Sequence, residues 1–454
     1  MSYKSINPAT GKLLNSYSII SDDELQEKII CANDVFKYWR KTELDYRKML
    51  LLKVADLLES EKEIHAGNMT AEMGKPINQS IAEVEKSALV CRYYAENAKK
   101  FLEPERKKSS AKESYIKYEP IGVIYAVMPW NFPYWQVFRF IAPNFILGNT
   151  GLLKHASNVP ACALAIEKLF IDAGAKKGIF QNLFINYHQS EEVVKNQYVR
   201  GVTLTGSNYA GSKVAELAGK YIKKSVLELG GSDPFLIFED ADIEEAVKYG
   251  IISRFLNAGQ SCIAAKRFIV HNKIYDKFIN IFKRETEKLK TGDPMNSDNY
   301  IGPMAKESFV IELEEQVNKS VEMGAKIITG GKRKKSGTCY YLPTIIDNIP
   351  ENAPLANEEI FGPVAPVFEF NDYSEAVKIA NNTPFGLGAT VWTKDIDKAK
   401  KIADEIVTGT VAINGMVKSE PGLPFGGVKD SGYGRELSEY GLKEFANIKT
   451  INIF

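Results

Sequence analysis

The sequence is poor in the residues that build metal sites and disulfide frameworks. It has four histidines (His65, His155, His188 and His271) and five cysteines (Cys31, Cys91, Cys162, Cys262 and Cys339). The cysteine count is odd, the spacings are wide and no CxxC occurs, which speaks against a disulfide scaffold or a zinc ribbon. No metal site is expected, and a reducing cytoplasm is the expected setting, with most thiols buried and inert. An excess of either charge is also missing. Lys plus Arg number 58 against 57 Asp plus Glu, so neither a nucleic-acid nor a membrane-surface partner is implied. The opening MSYKSINPATGKLL lacks a charged segment followed by an apolar run, so no secretory leader is expected. One uncharged stretch, IGVIYAVMPWNFPYWQVF at 121–138, has the length of a membrane span. Pro129, Asn131, Pro133 and Gln136 interrupt it, and it reads as a buried strand running into a loop. The dinucleotide fingerprint GxGxxG is absent too, which weighs against an ordinary Rossmann site.

What is present is the material of a globular α/β protein. Hydrophobic residues make up 44% and charged residues 25% of 454 positions, too long a chain for one core, so two or three packed units are expected. The first hundred residues read as helical. Ser21 with Glu24 forms a capping box, and Leu25, Ile29, Ala32, Phe36 and Trp39 then share one helical face. A second helix carries Leu50, Val54, Leu57 and Leu58, and a third runs from about Ile77 to Lys100. The polar stretch 103–113 reads as an exposed connection. From about 120, short β-rich runs (IGVIYAVM, TGLLKHA, IFQNLFIN, GVTLTG, SVLELGG) alternate with helical segments at 160–173 and 209–221. Such alternation implies βαβ units and a mostly parallel sheet. Ligands of such sheets bind beyond the carboxyl ends of the strands, which singles out Asn131, Lys154, Thr205 with Gly206, and Glu228. A second alternating set after Gly231 implies a second α/β domain. The terminal run KTINIF is a lone strand that needs an edge, in this chain or in a partner.

Several of these positions could carry chemistry. TGSNYAG at 205–211 sits between a strand and a helix, where small residues let a phosphate approach the helix N-terminus. A tight βα turn is the simpler reading when the motif stands alone. Cys262, in NAGQSCIAAKR, has small neighbours that leave room for a substrate. An ordinary thiol is mostly protonated at neutral pH and needs a base or a positive field to react, so local context alone favours a buried small residue. Glu228 ends an apolar strand directly before two glycines. Partial desolvation there would raise its pKa toward the range of a general base, and a solvated strand end explains it equally well. Asn131, among aromatics and prolines, could donate its amide to an oxyanion beside the Cys262 N–H, or simply hold a Pro-rich turn.

These pieces occur together in one arrangement. PWNFP at 129–133, TGS at 205–207, LELGG at 227–231, GQSC at 259–262, EEIFGPV at 358–364 and PFGGVKDSGYGRE at 424–436 make the chain resemble the aldehyde dehydrogenase superfamily over nearly its full length. The resemblance implies an α/β fold of two Rossmann-like parallel-sheet domains and a small oligomerisation element. The expected boundaries are 1–105 with 120–229 for the cofactor-binding domain, 230–434 for the catalytic domain, and 106–119 with 435–454 for the oligomerisation element of a homodimer or homotetramer. It also implies that Cys262 attacks an aldehyde to give a thiohemiacetal and then a thioester. Asn131 would hold the oxyanion and Glu228 would activate the hydrolytic water. Trp130, Lys154, Gly206, Ser207, Glu359 and Phe361 match cofactor-binding positions.

Two further positions bear on specificity. Ser157 lies three residues after Lys154, where many NAD-preferring relatives have a glutamate that repels a 2′-phosphate. Ser157 cannot repel it and Lys154 could pair with it, so NADP is the expected cofactor, with NAD the alternative. The proline common after the lysine is here His155. In detail the chain resembles short bacterial-type succinate semialdehyde dehydrogenases, in which an arginine eight residues after the oxyanion asparagine binds the substrate carboxylate. Arg139 occupies that place and Ser419 matches a second carboxylate-binding position. The competing reading of Arg139 is a surface helix residue in an ion pair. Other expectations are a dehydrogenase for glyceraldehyde, lactaldehyde or another small aldehyde, and a non-catalytic descendant of the fold. A CoA-acylating relative fits less well, because Glu228 is present.

Overall fold

The computed structural model describes residues 2–454. Two largely parallel sheets with helices on their faces form its bulk. The first has six strands in the order Gly432–Tyr433, Lys224–Glu228, Val199–Thr205, Val123–Met128, Thr150–His155 and Phe180–Asn182. All pairs are parallel except the edge at Gly432–Tyr433. The second has seven strands in the order Lys326–Thr329, Thr344–Asp347, Val364–Phe370, Ala265–His271, Asp233–Ile237, Gly388–Trp392 and Thr410–Ile413. Only its Lys326–Thr329 edge is antiparallel.

The chain order of the first sheet explains where a ligand can sit. From the central strand Val123–Met128 the chain moves outward to Thr150–His155 and Phe180–Asn182, then returns to the other side through Val199–Thr205. The strand order therefore reverses at Val123–Met128, and a crevice opens there beyond the carboxyl ends. The residues that follow those ends are Pro129 to Asn131, Ala156 with Ser157, and Gly206 with Ser207. Leaving Glu228, the chain needs only residues 229–232 to enter the second sheet at Asp233. Cys262 lies three residues before Ala265, so Glu228 and Cys262 both reach the junction between the sheets.

Most expected elements are present. Ser21 caps the helix Asp22–Trp39 with the reciprocal Glu24 bond, and Leu25, Ile29, Ala32, Phe36 and Trp39 are buried. The run 121–138 is not simply a strand into a loop. Val123–Met128 is a buried strand, and a short loop leads into a helix, Trp135–Leu147, whose residues are all buried. The amino terminus also differs from the helical expectation. Ser2–Ile6 and Leu13–Ser18 pair as an antiparallel hairpin, and the alternating burial of SYKSI is too short a signal to detect beside the long helices. The terminal strand Ala446–Ile453 finds its edge within the chain and pairs antiparallel along all of Glu113–Pro120. Among the described residues no helix is long and apolar enough to cross a membrane.

Candidate active site

Two cavities meet at Cys262. One, of about 490 Å³, is bounded by the helix Ile77–Leu102, the helix Trp135–Leu147, the nucleophile turn and residues 416–419. The other, of about 470 Å³, lies over the carboxyl ends of the first sheet and is bounded by Trp130, Gly206, Ser207, Glu359 and Phe361. Cys262 and Gln136 line both.

Asn131 is fixed from both ends of its amide. Its Nδ2 donates to the Gln260 carbonyl at 3.1 Å, and its Oδ1 accepts from Gln136 Nε2 at 3.2 Å. One amide hydrogen is used at Gln260, two residues from Cys262, and the other remains for an oxyanion. Gln136 had no signal in the sequence beyond its place in the 121–138 stretch.

Cys262 is half-buried where the two cavities meet, and desolvation pushes its thiol up to about 11, with Arg139 and Lys266 opposing. The thiol is therefore protonated at neutral pH. Glu228 is buried and lines neither cavity. Its carboxylate lies against Gly426, where an added Cβ would stand 2.6 Å from Oε1. Neither oxygen has a hydrogen-bond partner among the described residues. Burial raises the Glu228 pKa far above the carboxylate range, and the nearby Glu436 raises it further. Burial raises Glu436 as well, but Arg139 forms an ion pair with it. The arginine makes Glu436 the ionised member, and Glu228 keeps the proton. Glu436 was part of the PFGGVKDSGYGRE motif, and only the fold reveals that it faces Glu228.

The specificity positions are arranged differently from the expected pattern. Arg139 lines the 490 Å³ cavity, but it is neither a surface residue nor a free fork. It is buried, its Nε pairs with Glu436, its Nη2 donates to Thr205 Oγ1 at 3.3 Å, and its guanidinium lies 4.7 Å from the Phe425 ring centre. A helix whose every face is covered leaves a cation no water, so a protein carboxylate takes that place. Ser419 is buried on the wall of the same cavity, and Lys86, which sequence reasoning missed, donates to its Oγ at 3.0 Å. A detectable signal was the polar stripe Gln79, Glu83 and Lys86, spaced to share one helical face.

On the nucleotide side, Ser207 caps the helix Asn208–Lys220 by accepting from Ala210 N–H. The N–H groups of Asn208 and Tyr209 have no acceptor among the described residues, which suits an anionic phosphate. Gly230 borders the cavity where any Cβ would collide with the Glu359 carboxylate. Glu359 in turn pairs with Lys266 and accepts the Gly231 N–H at 3.1 Å. A nicotinamide dinucleotide fits this set: open amides for phosphate, a carboxylate for ribose hydroxyls, and aromatic walls at Trp130 and Phe361. Lys154 and Ser157 stand outside this lining. Lys154 Nζ lies 5.5 Å from the Tyr187 ring centre, and Ser157 is exposed. His155 is buried, accepts the Ala156 N–H on Nδ1 and donates from Nε2 to the Pro133 carbonyl at 2.9 Å. In place of a proline, it ties the cofactor strand to the Asn131 loop.

The aldehyde dehydrogenase family profile matches residues 1–451. The chain belongs to the aldehyde dehydrogenase family. Among its relatives is a probable NADP(+) succinate-semialdehyde dehydrogenase of a Synechocystis strain, 46% identical over 451 residues and 99% of each chain. An NADP(+) succinate-semialdehyde dehydrogenase of Mycobacterium tuberculosis is 47% identical over 454 residues, again 99% of each. The structure of a succinic semialdehyde dehydrogenase from Streptococcus pyogenes, solved with NADP+ as the cofactor, superposes with a TM-score of 0.97 at 39% identity and covers 99% of both chains. Membership in the aldehyde dehydrogenase family accounts for the fold, for the ordered motifs and for a cysteine shared by two cavities.

Proposed function

We propose that this aldehyde dehydrogenase oxidises succinate semialdehyde to succinate with NADP. The observation that carries the reading is the position of Cys262 between an aldehyde cavity with basic residues on its wall and a separate cavity that suits a nucleotide. The relatives named above support the substrate and the cofactor.

Cys262 Sγ adds to the aldehyde carbon, the thiol proton passes to solvent in the open cavity, and the C=O π pair becomes the oxyanion. Asn131 Nδ2 and the Cys262 N–H stabilise the oxyanion of the thiohemiacetal. The bound nicotinamide nucleotide supplies the hydride acceptor. The resulting thioester on Cys262 is attacked by water. Glu228 is the base for that step, and from its position against Gly426 it must swing toward Cys262. Turning away from Glu436 removes the like charge that helps keep it protonated, which lowers its pKa toward a useful value. Trp130, Gly206, Ser207, Glu359 and Phe361 hold the nucleotide. Lys154, with Ser157 in place of a repelling carboxylate, favours the 2′-phosphate of NADP. Arg139 and Ser419 belong to the carboxylate end of the substrate cavity.

We read 1–105 with 120–229 as the cofactor domain, 230–434 as the catalytic domain, and 106–119 with 435–454 as the element that joins subunits in a homodimer or homotetramer. Five unpaired cysteines suit a reducing cytoplasm. The test is an aldehyde panel with both cofactors, following the absorbance of the reduced nicotinamide. Succinate semialdehyde with NADP is expected to give the highest kcat/KM. A neutral small aldehyde in first place, or a strong NAD preference, would overturn the corresponding part.

A further inference from the structure

The cations on the wall of the 490 Å³ cavity differ in whether the protein supplies their counter-ions. Lys75 is paired with Glu83, and Arg139 is paired with Glu436. Lys418 is exposed at the edge. Lys86 is only partly exposed, and no carboxylate of the described residues forms an ion pair with it. Its Nζ makes one hydrogen bond, to Ser419 Oγ at 3.0 Å, and rests 4.1 Å from the Trp135 ring centre. A largely desolvated ammonium held by one hydroxyl and one aromatic face is costly unless something else brings an anion.

Ser419 points to the same missing anion. Its Oγ accepts from Lys86 Nζ and also from Trp135 Nε1, each at 3.0 Å. A hydroxyl has two lone pairs and one proton. With both lone pairs engaged, the Ser419 proton is left to donate, and Ser419 lies on the cavity wall. Lys86 retains two further protons. The corner therefore offers a positive charge and several donors to a ligand oxygen. Burial and the neighbouring Arg139 bring the Lys86 pKa down to about 8, with Glu83 and Glu420 opposing and Lys418 adding to the depression. That combination describes a cation waiting for a partner.

We infer that Lys86, acting with Ser419, is a further group that recognises the carboxylate of the aldehyde substrate, beside an Arg139 whose charge is already shared with Glu436. The inference rests on the proposed succinate semialdehyde reading and names a further residue that confers it. Trp135 orients the pair through its hydrogen bond to Ser419.

The experiment measures kcat and KM of the full-length enzyme with NADP for succinate semialdehyde and for butanal, which has the same chain length without the carboxylate. Wild type, Lys86→Met and Lys86→Arg are compared, with melting temperatures to show that each variant folds. Lys86→Met is expected to lower the ratio of kcat/KM for succinate semialdehyde over butanal on the order of ten- to a hundredfold, the scale of one charge-assisted hydrogen bond. The loss is expected to lie mainly in KM. Lys86→Arg is expected to restore most of the ratio. The apparent inhibition constant of succinate is expected to weaken in Lys86→Met by a similar factor. A Lys86→Met enzyme that keeps the wild-type ratio overturns the inference and leaves the substrate reading standing, and so does a proportional loss on both aldehydes. A wild type without preference for succinate semialdehyde overturns both.

Discussion

Replacing Glu83 by Gln probes how the substrate cavity is anchored. Glu83 and Lys75 are 4% and 1% exposed and form an ion pair. The other carboxylate oxygen accepts the backbone N–H groups of Tyr134 at 2.9 Å and Trp135 at 3.1 Å. One side chain on the helix Ile77–Leu102 thus holds the start of the helix that carries Gln136 and Arg139. Gln preserves the acceptor for the two N–H groups but turns an amide toward the Lys75 ammonium. Breaking a buried pair from one side costs about 3–5 kcal/mol. Unfolding entropy of about 2.1 cal/mol/K per residue, taken over 454 residues, gives close to 1 kcal/mol per degree. Glu83→Gln is therefore expected to lower Tm by about 3–5 °C, and by more if the first domain melts alone. Scanning calorimetry on Glu83→Gln, Lys75→Met and the double variant completes a cycle. The double variant, with no buried charge left, is expected to recover most of the loss. A Glu83→Gln protein that melts within a degree of wild type, or a double variant showing the sum of the two single losses, would refute the reasoning.

Asn131→Ala removes the proposed oxyanion donor, and kcat is expected to fall about 10²–10³-fold with little change in the KM for NADP. Equal losses in kcat and nucleotide affinity would point instead to collapse of the loop. Gly230→Ala forces a methyl group into Glu359, an overpacking cost of about 1–3 kcal/mol. Isothermal titration is expected to show NADP binding weakened on the order of tenfold, and unchanged binding would place the nucleotide elsewhere. Burial holds His65 and His155 neutral by lowering each pKa from 6.5 to about 4. The unfolded chain takes up these protons near pH 6.5 and the folded chain only near 4. Their contribution to stability is thus complete above pH 6.5 and is lost as pH falls toward 4, at about 3 kcal/mol per histidine. Tm is expected to drop across that window, and His155→Gln is expected to flatten the drop. An identical profile for wild type and variant would exclude His155 as a contributor.

The sequence announces the parts of this site that depend on local chain geometry and is silent on the parts that depend on convergence. Strand–helix alternation locates Asn131, Gly206 and Glu228 at strand ends, because the period of the pattern is local and the crevice follows from it. Cys262 was readable only through the joint motifs. Arg139 could be named but not its partner: 297 positions of chain separate it from Glu436, and no periodicity reports a contact of that range. Lys86 lies on a helix whose buried face is built from Val84, Ala88, Cys91 and Ala95. The polar residues beside that face look like ordinary solvated positions, and only the fold shows that they share a cavity with Cys262 and Ser419.

The turn before Cys262 explains why the nucleophile itself has so faint a local signature. Asn257, Ala258 and Gly259 all have positive φ, at 55°, 53° and 72°. Left-handed backbone costs roughly 1–2 kcal/mol for each of the two residues that have a Cβ, so the sequence of the turn does not dictate its shape. Contacts from elsewhere do. Asn257 N–H donates to Gln79 Oε1 at 2.7 Å, and its side chain donates to the Asn131 carbonyl at 2.9 Å. Arg254 donates to the carbonyls of Gly259 at 2.8 Å and Gly362 at 2.6 Å. At Gly259 a Cβ would collide with the Gly362 carbonyl, so only glycine lets the two strands of chain approach. One bond reaches the helix that carries Lys86, one reaches the oxyanion loop, and one reaches the segment that carries Glu359 and Phe361. The strain concentrated here is balanced by contacts from distant parts of the chain. The thiol is therefore aimed by contacts that converge on this turn from the helix Ile77–Leu102, the Asn131 loop and the Gly362 segment.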